Sequence, residues 1–217
     1  MKRHILALAV CVALAIALFL AAGRPVLAGN DATSQTLSDS NGPTLTEADS
    51  NHDSNYDLAA DYCVKKGGEV DVRMPYYNTN DNNPQNWVRM AGQRAFCKFT
   101  LKSDGSRIHV LLSTLYTKAP SLAALAYYAK VPYSGSCNGN PASCYCSQLG
   151  GSDLFGGINP NGGGWVQMSD PVDTVLEACI FPDMSTIDSW GLTYHQASII
   201  RGKNLKGVLR FKDPYSK

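Results

Sequence analysis

The chain has 217 residues, seven cysteines and a formal net charge of +1 at pH 7. No specific nucleic-acid partner is expected. From Leu58 onward the sequence holds sixteen Lys and Arg against twelve Asp and Glu. Most of this excess lies near the C-terminus, where it is typical of a solvated basic tail.

The N-terminal segment, 1–28, predicts a signal peptide. Met1-Lys-Arg-His4 is a short positive region, and an apolar run extends from Ile5 to Ala22. Gly23 and Pro25 break this run, and Ala28 offers a small residue for cleavage. An uncleaved membrane anchor is the alternative, because an apolar run of this length is enough to span a bilayer. With cleavage after Ala28 the protein is expected to be periplasmic or extracellular, without a membrane span.

The next segment is acidic and polar. Residues 29–57 carry six acidic side chains, no Lys or Arg, and little to bury beyond Leu37 and Leu45. Such a composition cannot bury enough apolar surface to offset the entropy of ordering the chain. The sequence therefore predicts a disordered acidic linker over residues 29–55.

A cysteine–glycine pattern then occurs twice. Cys63 is followed by Gly67-Gly68 and later by Cys97. Cys146 is followed by Gly150-Gly151 and, at nearly the same distance, by Cys179. This repeat predicts two disulfide-stapled units, residues 56–118 and 137–217, joined by a connecting helix and linker over residues 119–136.

The repeat also selects a disulfide pairing. Six cysteines remain once the signal peptide is removed, and an even number in an exported chain implies a disulfide framework. Six cysteines allow 15 connectivities. If both units share a fold, Cys63 pairs with Cys97 and Cys146 with Cys179. Cys137 and Cys144 then remain and close a short loop.

In the first unit, Ser54 and Asn55 predict the cap of a helix that begins near Tyr56 and ends at the double glycine. Strands are expected at 69–74 and 94–99, on either side of a polar, turn-rich excursion at 76–87. Residues 107–115 predict a second strand or a helix, and residues 119–130 a helix.

In the second unit, Asn140 and Pro141 predict the start of a helix that ends at the second double glycine. The elements expected after it are a strand at 152–155, a flexible glycine-rich loop at 156–164, a returning strand at 175–181, a short helix or strand at 186–194, and a closing strand at 201–211. The predicted fold class is α+β, with two helix-plus-β-hairpin units packed as a pseudo-duplicate.

The second unit also matches the pattern of a known family. It contains Asn140-Pro-Ala-Ser143, Cys146 with Gly150-Gly151, Cys179-Ile-Phe-Pro-Asp183, Ser185 and Asp188-Ser-Trp190. Over residues 138–202 these motifs resemble DUF333, a family of small exported bacterial cysteine-rich domains sometimes labelled as haemolysins. The first unit resembles a divergent copy without the tryptophan, and the second departs from the pattern at Met184 and Cys144. The resemblance implies a cell-envelope or secreted protein and brings no catalytic residues.

Aromatic residues mark the predicted binding surface. Trp87 and Trp165 lie at equivalent points between the paired cysteines, and Tyr76 and Tyr77 extend the same surface. Aromatic side chains on disulfide-held loops are typical anchors for sugar rings or protein partners. The alternative is that each tryptophan packs back onto its own hairpin. Trp190 is expected in the core.

The sequence offers little catalytic chemistry. Only His109 and His195 lie in the folded region, and no His-Glu-x-x-His or Cys-x-x-Cys-His motif occurs. No metal site and no cofactor are expected. A hydrolase that uses His195 with Asp183 or Asp188 and a serine stays as an alternative, although no Gly-x-Ser-x-Gly motif is present.

The leading hypothesis is therefore an exported, non-enzymatic binding module whose partner is an unidentified protein or an envelope polymer. A proteinase inhibitor is one version of it, because a loop braced by disulfides is preorganised for binding. A hydrolase using His195 and a purely structural envelope component are the alternatives.

Overall fold

The computed structural model describes residues 50–153 and 161–216, so the predicted signal peptide and most of the predicted linker lie outside the described residues. The helices and strands in this part of the chain are α1 (Ser50–Lys65), β1 (Glu69–Tyr77), β2 (Val88–Arg89), β3 (Arg94–Thr100), β4 (Arg107–Leu111), α2 (Leu112–Tyr116), α3 (Leu122–Ala129), α4 (Pro141–Gln148), β5 (Ser152–Asp153), β6 (Gly163–Val166), β7 (Val175–Leu176), β8 (Ala178–Ile180), β9 (Thr186–Asp188) and α5 (Ser189–Gln196). Short 3₁₀ helices occupy Pro84–Asn86 and Leu205–Gly207. No helix within these ranges is long and apolar enough to cross a membrane.

The strands form one curled antiparallel sheet. Its order is β5-β8-β9-β4-β3-β1-β6-β7, and β2 pairs with the end of β1. Glu177 alone separates β7, at one edge of the sheet, from β8, next to the other edge. The sheet must therefore bend round into a half-barrel.

The α+β class is as predicted, but the two halves do not pack as separate units. Strand β4 of the first half pairs with β9 of the second at Val110 and Ile187, so that one sheet runs through both. One apolar core under the helices contains Cys63 and Cys97 together with Cys146 and Cys179.

Each half carries its disulfide in the same place. Cys63–Cys97 joins α1 to β3, Cys146–Cys179 joins α4 to β8, and Cys137–Cys144 closes the short loop before α4. These are the three pairs that the repeat predicts.

The second glycine of each pair lets the backbone approach its disulfide. A Cβ atom on Gly68 would lie 2.3 Å from the Cys97 sulfur, and a Cβ atom on Gly151 would lie 2.4 Å from the Cys179 sulfur. Both glycines therefore do more than end a helix, because any side chain there collides with a buried bridge.

Other elements differ from the sequence prediction. Helix α1 begins at Ser50 rather than near Tyr56. Residues 107–115 form a strand followed by a helix, as do residues 186–194. Residues Gly163–Val166, expected to begin within a flexible loop, form strand β6, which pairs with β1. Gly164 permits close packing of β6 against β7, because a Cβ atom there would lie 2.6 Å from Val175 Cγ1.

The closing strand predicted at 201–211 is wrong. The segment contains a 3₁₀ helix, and Leu205, Val208 and Leu209 are buried in the core. Their spacing of three and four positions suits a helical turn rather than the alternation of a strand.

Replacing either glycine beside a disulfide tests this packing. We expect Gly68→Ala and Gly151→Ala each to lower the free energy of unfolding by about 1–3 kcal/mol, as overpacking of a core does. Gly207→Ala is the control, because nothing lies within 4 Å of a Cβ atom there. Urea unfolding of the oxidised protein measures all three. Equal stability of Gly151→Ala and Gly207→Ala would contradict the packing described here.

The disulfides that close the longer loops are expected to stabilise the protein more than the one that closes the short loop. Replacing both cysteines of Cys63–Cys97 or of Cys146–Cys179 by Ala should cost roughly 3–4 kcal/mol by loop-entropy arithmetic, and replacing Cys137 and Cys144 about 2 kcal/mol. Urea unfolding midpoints, measured under oxidising conditions, rank the three double-alanine variants by their loss of stability. A larger loss for the Cys137–Cys144 pair would contradict this expectation.

Candidate functional site

Three of the four predicted binding aromatics lie on one hairpin. Tyr76 and Tyr77 end β1, and Trp87 directly precedes β2. The Tyr76 and Trp87 rings meet edge to face with centroids 6.4 Å apart. The Trp87 indole donates a hydrogen bond to the Asp81 carbonyl at 2.8 Å, so that its polar edge is tied to its own loop.

The fourth, Trp165, lies inside the curl of the sheet. It is 5% exposed and packs edge to face against Phe96 at 6.0 Å. Pairing of β6 with β1 places this ring on the enclosed face. Trp165 therefore does not offer a ligand the exposed ring that the sequence interpretation assigned to it, and the two tryptophans are not equivalent.

His195 is held as a core residue. Its ring stacks on Tyr127 with centroids 3.7 Å apart, and neither ring nitrogen has a hydrogen-bond partner within the described ranges. Burial, followed by the nearby charges of Lys130 and Lys206, lowers the pKa of His195 to about 4. The ring is therefore neutral at pH 7, and in the described part of the chain no carboxylate orients it.

The two acids considered as partners of His195 are engaged elsewhere. Asp183 accepts hydrogen bonds from the Leu122 amide at 2.8 Å and from Ser185, and so caps α3. Asp188 caps α5 through the Gly191 amide at 3.0 Å. The geometry therefore does not assemble a hydrolase triad at His195.

The enclosed face of the sheet instead holds a buried cluster of charges. Arg73 and His109 have no exposed side-chain surface, and Asp71 lies between them. Asp71 Oδ2 lies 2.7 Å from Arg73 Nε and 3.2 Å from His109 Nε2. On the other side of the imidazole, Asp188 Oδ2 lies 3.6 Å from Nδ1, close enough for charge attraction but long for a hydrogen bond.

The charges of this cluster support one another. Burial by itself would lower the pKa of His109, but the carboxylates of Asp188 and Asp71 outweigh it and raise the pKa above 6.5. Burial would raise the pKa of Asp71, but contacts with His109 and Arg73 lower it below 3.8. The imidazole of His109 therefore lies between two carboxylates, which favour its protonated form.

A second carboxylate completes the pairing of Arg73. Asp170 lies 3.1 Å from Arg73 Nη2 and 2.7 Å from Arg107 Nη1. Burial opposes ionisation of Asp170, yet hydrogen bonds from Arg107 and from the Asp173 and Val172 amides bring its pKa well below its usual range. The core of this cluster is buried and its charges are paired, and its contacts join β1, β4 and the segment that leads into β7.

Sequence reasoning missed this cluster. The alternating strand Glu69–Met74 predicts one apolar face in the core and one polar face in water. In the structure Asp71 is 2% exposed and Arg73 is completely buried, because the curl encloses the polar face as well. No local signal distinguishes such a strand from an ordinary half-buried one.

A groove between α1 and α2 is the candidate ligand site. Its larger cavity has a volume of 720 Å³ and an apolar lining that includes Tyr56, Ala59, Val72, Leu111 and Tyr116. A smaller cavity of 380 Å³ adjoins it and reaches the turn at 183–185. The two cavities share Arg94, Leu111, Ser113 and Thr117, and we call them together the α1–α2 groove.

Arg94 is the cation of this groove. Its guanidinium lies over the Trp165 ring, 5.3 Å from the centroid, and its Nη1 donates to Thr186 Oγ1 at 3.1 Å and to the Met184 carbonyl at 3.4 Å. Burial lowers the pKa of Arg94, and in the described part of the chain no carboxylate lies within ion-pair distance of it. The groove thus combines apolar walls with a cation that no described carboxylate contacts.

Two other places have less to offer a ligand. A cleft of 300 Å³ beside Trp190 and Tyr194 is walled by Glu177 and Asp188, but Arg201 already covers the Tyr194 ring. Cys146, Asp153 and Cys179 have the spacing of metal ligands, yet both sulfurs belong to a disulfide. Sulfurs bonded to each other are not the thiolates that bind metal ions.

Comparisons with known proteins identified no relative of this chain. No family model, curated protein or solved structure matches the chain. The function is therefore inferred from the geometry and chemistry of the site.

The two buried histidines predict opposite pH effects on stability. The folded-state pKa of His109 lies above 6.5. The stabilisation that protonated His109 gives the folded state is therefore complete below pH 6.5, and it is lost as the pH rises through the folded-state pKa. We expect His109→Gln to remove this loss, which amounts to about 1.4 kcal/mol for each unit by which the pKa is raised.

His195→Phe is the control, because it keeps the ring stack on Tyr127. The folded-state pKa of His195 is about 4, below its unfolded value of 6.5. His195 therefore lowers the free energy of unfolding at low pH, because it is protonated more readily in the unfolded chain. This destabilisation disappears as the pH rises to 6.5. Replacing His195 should therefore leave the pH dependence of the unfolding free energy above pH 6.5 unchanged. Urea unfolding between pH 5 and 9 separates the two, and an unchanged alkaline slope in His109→Gln would rule out a buried imidazolium.

Proposed function

We propose that this protein is an exported, disulfide-stabilised and non-enzymatic binding module that takes a small apolar ligand into the α1–α2 groove. The observation that carries the proposal is the groove itself. A volume of 720 Å³ lies in the range of about 300–1,000 Å³ typical of ligand sites, and the lining is mostly apolar with one convergent cation.

The walls of the groove are preorganised. Cys63–Cys97 ties α1, which provides Tyr56 and Ala59, to β3, which provides Arg94 and Ala95. A rigid site loses less conformational entropy when it binds a ligand. A bridge at this position therefore supports binding as well as stability.

Export to the periplasm or the cell exterior is part of the proposal. It is supported by the signal-peptide pattern of residues 1–28 and by three disulfides from six cysteines, since such bridges persist in oxidising compartments.

The proposal also treats the two halves as copies of one unit, as the resemblance to DUF333 implies. In each half a glycine abuts the helix-to-strand disulfide. Cys97 pairs across the sheet with Val110 and Cys179 with Ile187, and Val110 then pairs with Ile187. A self-complementary contact of this kind is what a pseudo-twofold axis between two copies would produce.

A neutral fluorescent probe tests the groove. N-phenyl-1-naphthylamine should bind the oxidised protein with enhanced emission, and Ala95→Phe should weaken that binding at least tenfold, because the larger side chain fills the apolar cavity. Val88→Phe is the matched control, since it adds the same ring on the exposed strand β2, where Val88 is 53% exposed.

Two results would count against the proposed function. One is the absence of a saturable fluorescence change with the wild-type protein. The other is equal probe affinity in Ala95→Phe and Val88→Phe when both variants retain the wild-type unfolding midpoint.

A further inference from the structure

Arg94 differs from Arg73 on β1 and Arg107 on β4 in having no counter-ion among the described residues. Arg73 contacts Asp71 and Asp170, and Arg107 contacts Asp170 and Asp173. No carboxylate within the described ranges lies that close to Arg94, although its guanidinium is partly withdrawn from water. A desolvated charge is costly unless an opposite charge pairs with it.

The donors of Arg94 are only partly used. Nη1 makes both of its hydrogen bonds, to Thr186 Oγ1 and the Met184 carbonyl, and in the described structure Nε and Nη2 make none. The Trp165 ring lies against the guanidinium at 5.3 Å and leaves its edge available. Neighbouring N–H groups of this kind form the fork that binds a carboxylate through two oxygens.

The rest of the groove limits the size and charge of the anion. Ser113, an exposed hydroxyl with no hydrogen bond in the described structure, lies beside Arg94 on both cavities. Asp183 lines the smaller cavity, with its oxygens directed to the start of α3 and to Ser185. One cation opposite one fixed carboxylate suits a singly charged head group better than a phosphate dianion.

The larger, apolar cavity also has Arg94 in its lining. Its walls include Tyr56, Ala59, Val72, Leu112 and Tyr116. A ligand whose charged end contacts Arg94 would therefore place its other end against apolar surface. Resting on the proposed function, we infer that the α1–α2 groove binds a small amphipathic carboxylate, with the carboxylate on Arg94 and the apolar body between α1 and α2.

Displacement of N-phenyl-1-naphthylamine by matched ligands tests the inference. Decanoate and decan-1-ol share an apolar chain and differ in the head group, and decyl phosphate carries a larger charge. At pH 7.5 decanoate should bind wild-type protein at least tenfold more tightly than the alcohol, and more tightly than the phosphate.

Arg94→Gln should abolish the preference for decanoate while leaving the affinity for decan-1-ol within about twofold. The retained alcohol binding shows that the variant is folded and that its apolar cavity is intact. Arg94→Lys should keep part of the preference, because a point charge replaces the two-pronged donor. Arg89→Gln removes an exposed cation from β2 and should change nothing.

The possible failures are distinguishable. Equal affinities for decanoate and decan-1-ol in wild-type protein, or a preference that survives in Arg94→Gln, would overturn the carboxylate assignment and leave the apolar site standing. Tighter binding of decyl phosphate would also overturn it, by showing that the head group is a phosphate. Absence of probe binding would defeat the proposed function itself.

Discussion

The half-barrel depends on the burial of Arg73. Its guanidinium is bound by the carboxylates of Asp71 and Asp170 and by the backbone carbonyls of Trp165 and Asp173. These contacts connect β1 to β6 and to the segment that leads into β7, and so hold the β6–β7 arm against the rest of the sheet. The apolar cluster on the same face of the described sheet is small, with the buried members Phe96, Trp165, Leu176 and Ala178. Charge pairing therefore contributes much of the stability on this face. Removing one partner of such a buried pair typically lowers the free energy of unfolding by about 3–5 kcal/mol.

The same contacts place the groove's cation. Arg73 holds the main chain of Trp165, and the Trp165 ring carries the guanidinium of Arg94. One arginine is thus fully neutralised inside the curl, and a second is supported at its edge without a counter-ion in the described chain. The two arginines are paired across β1 and β3 and so lie on the same face of the sheet, but Arg73 lies in the middle of β1, whereas Arg94 is the first residue of β3.

The opposite face of the sheet is organised by sulfur and apolar packing. Each long disulfide ties a helix to a strand, and a glycine beside each bridge lets the backbone pack against it. The Cys63–Cys97 bridge and Arg94 both lie on the short strand β3, so the wall that carries the cation and the helix that covers the apolar cavity are linked covalently. A groove fixed in this way is suited to binding without large rearrangement.

Some features were determined by the sequence itself because they depend on local chemistry. The double glycines ended α1 and α4, Asn140 and Pro141 began α4, and the spacing of the repeat selected the three disulfide pairs. The α+β class followed from the same patterns.

Other features were decided only by the tertiary structure. Alternation along β1 shows which residues share a face, but not whether that face meets water, so the burial of Asp71 and Arg73 was not predictable. Pairing of β6 with β1, which is distant from it in the chain, buried Trp165 and left Trp87 on its hairpin. The groove was equally hidden, because its lining comes from α1, β1, β3, β4 and α2, and only long-range packing brings those elements together.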